Sequence, residues 1–249
     1  MSHQVALIAG TGFYDLPALR DSAAEVIETR YGAAQITRGN WNGVNLIFLT
    51  RHGAGHTIPP HRINYRANIQ ALKDLDVRSI VAINVVGGVD RALTPGDLEL
   101  INDFIDFTSG RANTFFDGDD SSGVQHIDMT NVYDKRIQSA LLTSANRLGI
   151  KLRTGGIYAG FDGPRFETPA EIRFAALAGA TVVGMTGCPE AALARELGIP
   201  YAAIALVVNP AAGLVEAEIT IAEINAALAA GKDRVLSIID GALSEIAKL

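Results

Sequence analysis

The sequence has a single cysteine, Cys188, among 249 residues, so no internal disulfide can form. No CxxC and no paired Cys/His spacing occurs either, which excludes the usual structural zinc sites; no metal is expected, and a reducing compartment is. Charge of either sign is scarce at 19%, and the net charge of −6 is spread along the chain without basic clusters. That argues against binding a polynucleotide backbone, although single arginines could still hold a small anion. No apolar run approaches the roughly 20 residues of a membrane span. The first residues, MSHQVALIAGTG, lack a basic leader, so a cytoplasmic location is expected. Two further motifs are missing. Without G-x-x-x-x-G-K-[ST] a nucleoside triphosphate is not the expected ligand, and without G-x-S-x-G there is no sign of a serine nucleophile.

What is present is apolar: 48% hydrophobic residues, enough for a substantial core. Short β-rich runs (5–10, 45–50, 79–88, 98–108, 155–161, 181–186 and 201–209) alternate with segments whose apolar residues recur at three and four (65–75, 135–149, 189–198). A last helix is expected over roughly 220–248. Strands apolar on both faces between amphipathic helices predict one α/β domain over residues 1–249, with a central mixed, mostly parallel twisted sheet flanked by helices. The polar, Gly-rich stretch 111–123 reads as a surface loop.

In such folds ligands bind where strands end. The first strand ends in Gly10-Thr11-Gly12, the second in Thr50-Arg51-His52-Gly53 and the third in Asn84-Val85-Val86-Gly87-Gly88; Met185-Thr186-Gly187 follows a later one. Each piece alone is an ordinary turn. Together their hydroxyls, guanidinium and bare amides converge on one small oxyanion such as phosphate. Asn209, between Val208 and Pro210, ends the last apolar run; read locally, it is a turn former as readily as a ligand.

These blocks, with GPRFET (163–168) and GMTGCPEAALARELG (184–198), resemble the trimeric purine nucleoside phosphorylases and the related methylthioadenosine phosphorylases. The resemblance implies phosphorolysis: phosphate attacks C1′ of a nucleoside through an oxocarbenium-like transition state, with inorganic phosphate as co-substrate and no cofactor. It assigns Thr11, Arg51, His52, Val85 and Thr186 to phosphate, and Met185 to the ribose. Phe166, Glu167 and Asn209 fall to the base, with Asn209, Glu167 and His52 as the catalytic candidates.

Glu167 and Asn209 match the members that act on 6-oxopurines. A carboxylate accepts from N1–H, and an amide donates to N7 and O6, whereas adenine presents a bare N1. The methylthioadenosine enzymes have aspartate at the position of Asn209 and again where this chain has Ala211. The 5′ end differs too. Alignment through LAAGK (228–232) puts Ile224 where the inosine and guanosine enzymes have histidine, with Ile221 one turn earlier. An oxopurine base site with an apolar 5′ pocket describes 5′-methylthioinosine, cleaved to hypoxanthine and 5-methylthioribose 1-phosphate. The alternatives are an inosine/guanosine phosphorylase, a methylthioadenosine phosphorylase, and a non-catalytic nucleoside-binding protein. His126 matches a residue lent to the neighbouring subunit's 5′ pocket, which implies a homotrimer; His126, His56 and His61 are equally readable as plain surface histidines.

Overall fold

The computed structural model describes residues 3–53, 55–118 and 123–249. Four strands come first: β1 (Gln4–Ala9), β2 (Arg20–Thr29), β3 (Gly32–Trp41) and β4 (Val44–Thr50). Then follow α1 (Tyr65–Asp74), β5 (Val77–Gly88), β6 (Leu98–Asp106), α2 (Lys135–Leu148) and β7 (Arg153–Gly160). The chain continues through α3 (Pro169–Leu177), β8 (Val182–Gly184), α4 (Gly187–Glu196), β9 (Tyr201–Pro210) and the long α5 (Ile221–Ile246).

The strands form one sheet in the order β2-β3-β4-β1-β5-β8-β7-β6-β9, and β9 also pairs with β5. That second pairing joins β5, β8, β7, β6 and β9 into a closed ring beside an open extension. The β1–β4, β1–β5, β5–β9, β6–β7 and β7–β8 pairs are parallel, and the β2–β3, β3–β4, β5–β8 and β6–β9 pairs antiparallel, so the sheet is mixed as expected. The β2–β3 hairpin is an element the periodicity did not announce. β2 buries no residue, because it is the edge strand and carries polar side chains on both faces.

Alternate residues of the central strands serve two separate cores. Leu7, Phe48, Ile83 and Leu206 pack under Ile137 and Leu141 of α2 and Val235, Ile238 and Ile239 of α5. Their neighbours Ile8, Ile47, Ala82 and Val207 pack against Ile69 and Leu72 of α1 and Leu193 of α4. No helix among the described residues is long and apolar enough to cross a membrane.

The stretch 111–123 departs from the surface-loop reading at its start, and its residues 119–122 lie outside the described residues. The Arg111 side chain is buried, and its guanidinium donates to the carbonyls of Phe161, Asp162 and Cys188 at 3.2, 3.0 and 2.6 Å and pairs with the Asp162 carboxylate. Phe115 is buried as well. This anchor fixes the backbone that runs into GPRFET.

Candidate active site

The carboxyl ends of β1 and β4 lie side by side, Ala9 opposite Thr50, so Gly10-Thr11 and Arg51-His52 leave the sheet together. β5 and β9 run alongside, and here the register slips: Val86 faces Val207 but Gly87 faces Asn209. The extra residue, Val208, is a bulge that re-aims the end of β9. A side chain on Gly87 would come 3.1 Å from Val183 and 3.4 Å from Asn209 Nδ2, so the missing Cβ makes room for the amide.

These ends enclose a cavity of about 270 Å³. Thr11, Arg51, His52, Val85, Phe166, Glu167, Met185, Thr186, Asn209, Ile221 and Ile224 all line it, as does His56. Every candidate named from this chain's own pocket is therefore brought together. His61 and His126 are exposed and do not line it.

Arg51 is among the largest fully buried side chains. Its Nε and Nη2 donate to Glu190 at 2.7 and 2.6 Å, and Nη1 donates to the Ile83 carbonyl at 2.7 Å. Tyr201 donates its hydroxyl to the same carboxylate at 2.7 Å. Burial alone works against the cation, but the Glu190 carboxylate more than offsets it and holds the Arg51 pKa above its ordinary value. One N–H remains on each terminal nitrogen. Glu190 was missed from the sequence, where it reads as an ordinary residue of an amphipathic helix.

His52 is also buried, and its Nδ1 lies 2.8 Å from the Ile58 carbonyl. Because a carbonyl only accepts, Nδ1 carries the proton and Nε2 bears the lone pair. Burial lowers the His52 pKa to about 4, with His56 and Arg51 adding to the effect, so the ring is neutral at pH 7. His56 packs on it with ring centroids 4.7 Å apart and meets the Tyr14 hydroxyl through Nδ1.

Thr186 caps α4 without using its side chain. The backbone amides of Thr186 and Gly187 both donate to the Tyr158 hydroxyl at 3.0 Å, while Thr186 Oγ1 accepts from Asn84 Nδ2 at 3.5 Å. The Thr186 proton is thus left to point elsewhere. Tyr158 and Asn84 are further residues that the sequence did not single out for this role.

At the other end, Glu167 could have been only a helix-start carboxylate. That task falls to Glu171 instead. Thr168 Oγ1 accepts from the Glu171 amide at 3.2 Å and the Glu171 carboxylate accepts from the Thr168 amide at 2.7 Å, a reciprocal cap on α3 that Arg165 braces at 2.7 Å. Glu167 is left buried with its Oε1 unpartnered, and burial raises its pKa. Asn209 is 8% exposed and spends one amide proton on the Pro210 carbonyl at 2.7 Å.

Ile221 and Ile224 occupy the first turn of α5 behind its cap, Thr220, and share a face as expected. Their burial differs, however: Ile224 is 8% exposed and Ile221 64%, because Ile221 sits at the rim. Among the described residues no group of His, Cys, Asp and Glu is arranged to hold a metal ion.

A sequence profile of the Phosphorylase superfamily matches residues 4–244. The chain is 43% identical over 249 residues to the 6-oxopurine nucleoside phosphorylase of Pyrococcus furiosus, covering 98% of this chain and 94% of that one. It is 44% identical over 241 residues to a probable S-methyl-5′-thioinosine phosphorylase of Pseudomonas syringae pv. tomato, covering 96% and 98%. Among solved structures, a methylthioadenosine phosphorylase from an antarctic soil metagenomic library superposes with a TM-score of 0.90 at 34% identity, over 99% of this chain and 87% of that one.

Proposed function

Given that the chain belongs to the Phosphorylase superfamily, we propose that it catalyses phosphorolysis of a 6-oxopurine nucleoside, with 5′-methylthioinosine as the substrate. The observation that carries the base assignment is Glu167: a buried carboxylate oxygen with no partner, on the wall of the cavity that Asn209 also lines. Leaving such an oxygen unsatisfied costs about 1–3 kcal/mol, which a donor on the ligand would recover. N1–H of hypoxanthine is such a donor; adenine offers a lone pair there.

In this reading Thr11, Thr186, the free N–H groups of Arg51, the Val85 amide and His52 hold phosphate, and Met185 lies along the ribose. Phe166, 42% exposed, lines the cavity and is assigned to the base. As the C1′–N9 bond breaks, positive charge grows on the ribose and negative charge on the purine. The bound phosphate faces the first, and the second Asn209 amide proton is available for the second. Groups fixed in advance for charges that appear only in the transition state lower the barrier most. No protein nucleophile takes part.

Ile224 and Ile221 close the 5′ end with aliphatic carbon, which suits a methylthio group and offers no partner to a 5′-hydroxyl. The exposure of Ile221 is accounted for if a neighbouring subunit of a homotrimer covers it and contributes His126. Inosine or guanosine phosphorolysis is the second reading, favoured by the likeness to the Pyrococcus furiosus enzyme. Release of hypoxanthine from 5′-methylthioinosine only when phosphate is supplied tests the reaction itself. Release without phosphate, or none at all, would contradict it.

A further inference from the structure

We propose that the anion end of the cavity selects oxyanions that carry their own proton, taking phosphate or arsenate and disfavouring sulfate, and that His52 imposes the choice. The inference rests on the phosphate site proposed above and adds a rule for what that site admits.

The rule follows from donors and acceptors. The other groups assigned to this end of the cavity can all donate: the Thr11 and Thr186 hydroxyls and the remaining Arg51 N–H groups. His52 is the exception. The Ile58 carbonyl at 2.8 Å holds the proton on Nδ1, so a neutral ring presents only the Nε2 lone pair. A methyl placed on Gly10 would lie 3.3 Å from His52 Nε2 and 3.8 Å from Arg51 Nη1. The Nε2 edge of the ring and the guanidinium therefore lie close together beside Gly10, on the wall of one cavity, where an anion would have both within reach.

Burial, first, and the neighbouring charges, second, keep the ring neutral. Arg51 beside it and His56 packed on it both oppose a further positive charge. Tyr14 reaches the cluster through His56 and through the Thr11 side chain. Glu190, which could have stabilised an imidazolium, is committed to Arg51 and Tyr201. Glu167 lines the cavity with its own carboxyl shifted toward the neutral form.

Phosphate and arsenate keep at least one O–H near neutral pH and can donate it to Nε2. Sulfate has none. Its oxygen would oppose a lone pair unless the ring first takes up a proton, and that requirement weakens sulfate about tenfold for each pH unit above the ring's pKa.

Sulfate inhibition competitive with phosphate, compared with the phosphate KM at pH 7 and pH 8 in a chloride background of fixed ionic strength, tests this. The expected result is a sulfate inhibition constant at least about tenfold above the phosphate KM at pH 7 and about tenfold higher again at pH 8, with the phosphate KM moving less than about threefold. Arsenate should support base release. His52→Gln, whose amide can turn an N–H to the anion, should narrow the sulfate gap to within about threefold in whatever activity remains. Sulfate competing as well as phosphate at pH 8 would overturn the selection rule and leave the phosphate site standing. Absence of any phosphate-dependent turnover would overturn both. The two wild-type pH measurements decide the matter even if the variant does not fold.

Discussion

Arg51 and Glu190 lie 139 positions apart in sequence, yet meet through two hydrogen bonds of 2.7 and 2.6 Å with both side chains almost fully buried. The pair ties the end of β4 to the first turn of α4, and so ties two of the segments proposed to hold phosphate. Arg51 cannot adapt to its ligand by moving; it arrives already aimed.

Removing one partner of such a pair leaves a bare charge in the core. Glu190→Leu should cost about 3–5 kcal/mol of folding stability, measured by chemical denaturation. Adding Arg51→Met should restore most of that stability while phosphate-dependent turnover stays lost. A double variant no more stable than the single one would show that the pair is not the source of the loss.

Glu167 should trade stability for function. Burial raises its pKa, so the folded state binds this proton more tightly than the unfolded chain does. The stability this contributes is present at low pH and is lost as pH rises through the folded pKa. Glu167→Gln removes that loss. The variant should unfold at higher temperature than the wild type at pH 7, by about 2–4 °C for each kcal/mol, with the gap shrinking toward pH 5, while turnover falls more than about tenfold. A variant less stable than the wild type at pH 7 would contradict the assignment of a buried, unpartnered carboxylate.

Asn209→Ala should lower kcat by more than about tenfold and change KM little, because the amide matters most as the base departs. Its hydrogen bond to the adjacent Pro210 carbonyl is local, so folding stability should change by no more than about 1 kcal/mol. Unchanged turnover on a 6-oxopurine nucleoside would remove Asn209 from the mechanism.

At the 5′ end, Ile224→His places a hydrogen-bonding group on the buried wall of the pocket. The ratio of kcat/KM for 5′-methylthioinosine to that for inosine should fall by about tenfold or more. A ratio that does not move would place the 5′ group elsewhere.

The legible parts of this arrangement have local causes. β1, β4, β5 and β9 are largely buried on both faces and appear as near-continuous apolar runs, and Thr11, Arg51, Val85 and Asn209 lie at or just beyond their carboxyl ends. The resemblance supplied Glu167 and Ile224, which periodicity alone would have left as a helix start and a core residue. The illegible parts depend on distant pairings. β2 is polar because it is the edge strand, so little in its pattern distinguishes it from a loop. The bulge that aims Asn209 exists only in the register between β5 and β9. Glu190 looks like any glutamate of a helix until α4 packs on the end of β4, and Arg111 lies in a polar stretch that gives no hint of burial.

The most direct test of the account is a side-by-side measurement of phosphate-dependent kcat/KM for 5′-methylthioinosine, 5′-methylthioadenosine and inosine. The geometry of Glu167, Asn209 and Ile224 predicts that 5′-methylthioinosine is preferred over both. Preference for inosine would contradict the apolar 5′ pocket, and preference for 5′-methylthioadenosine would contradict the reading of Glu167 and Asn209.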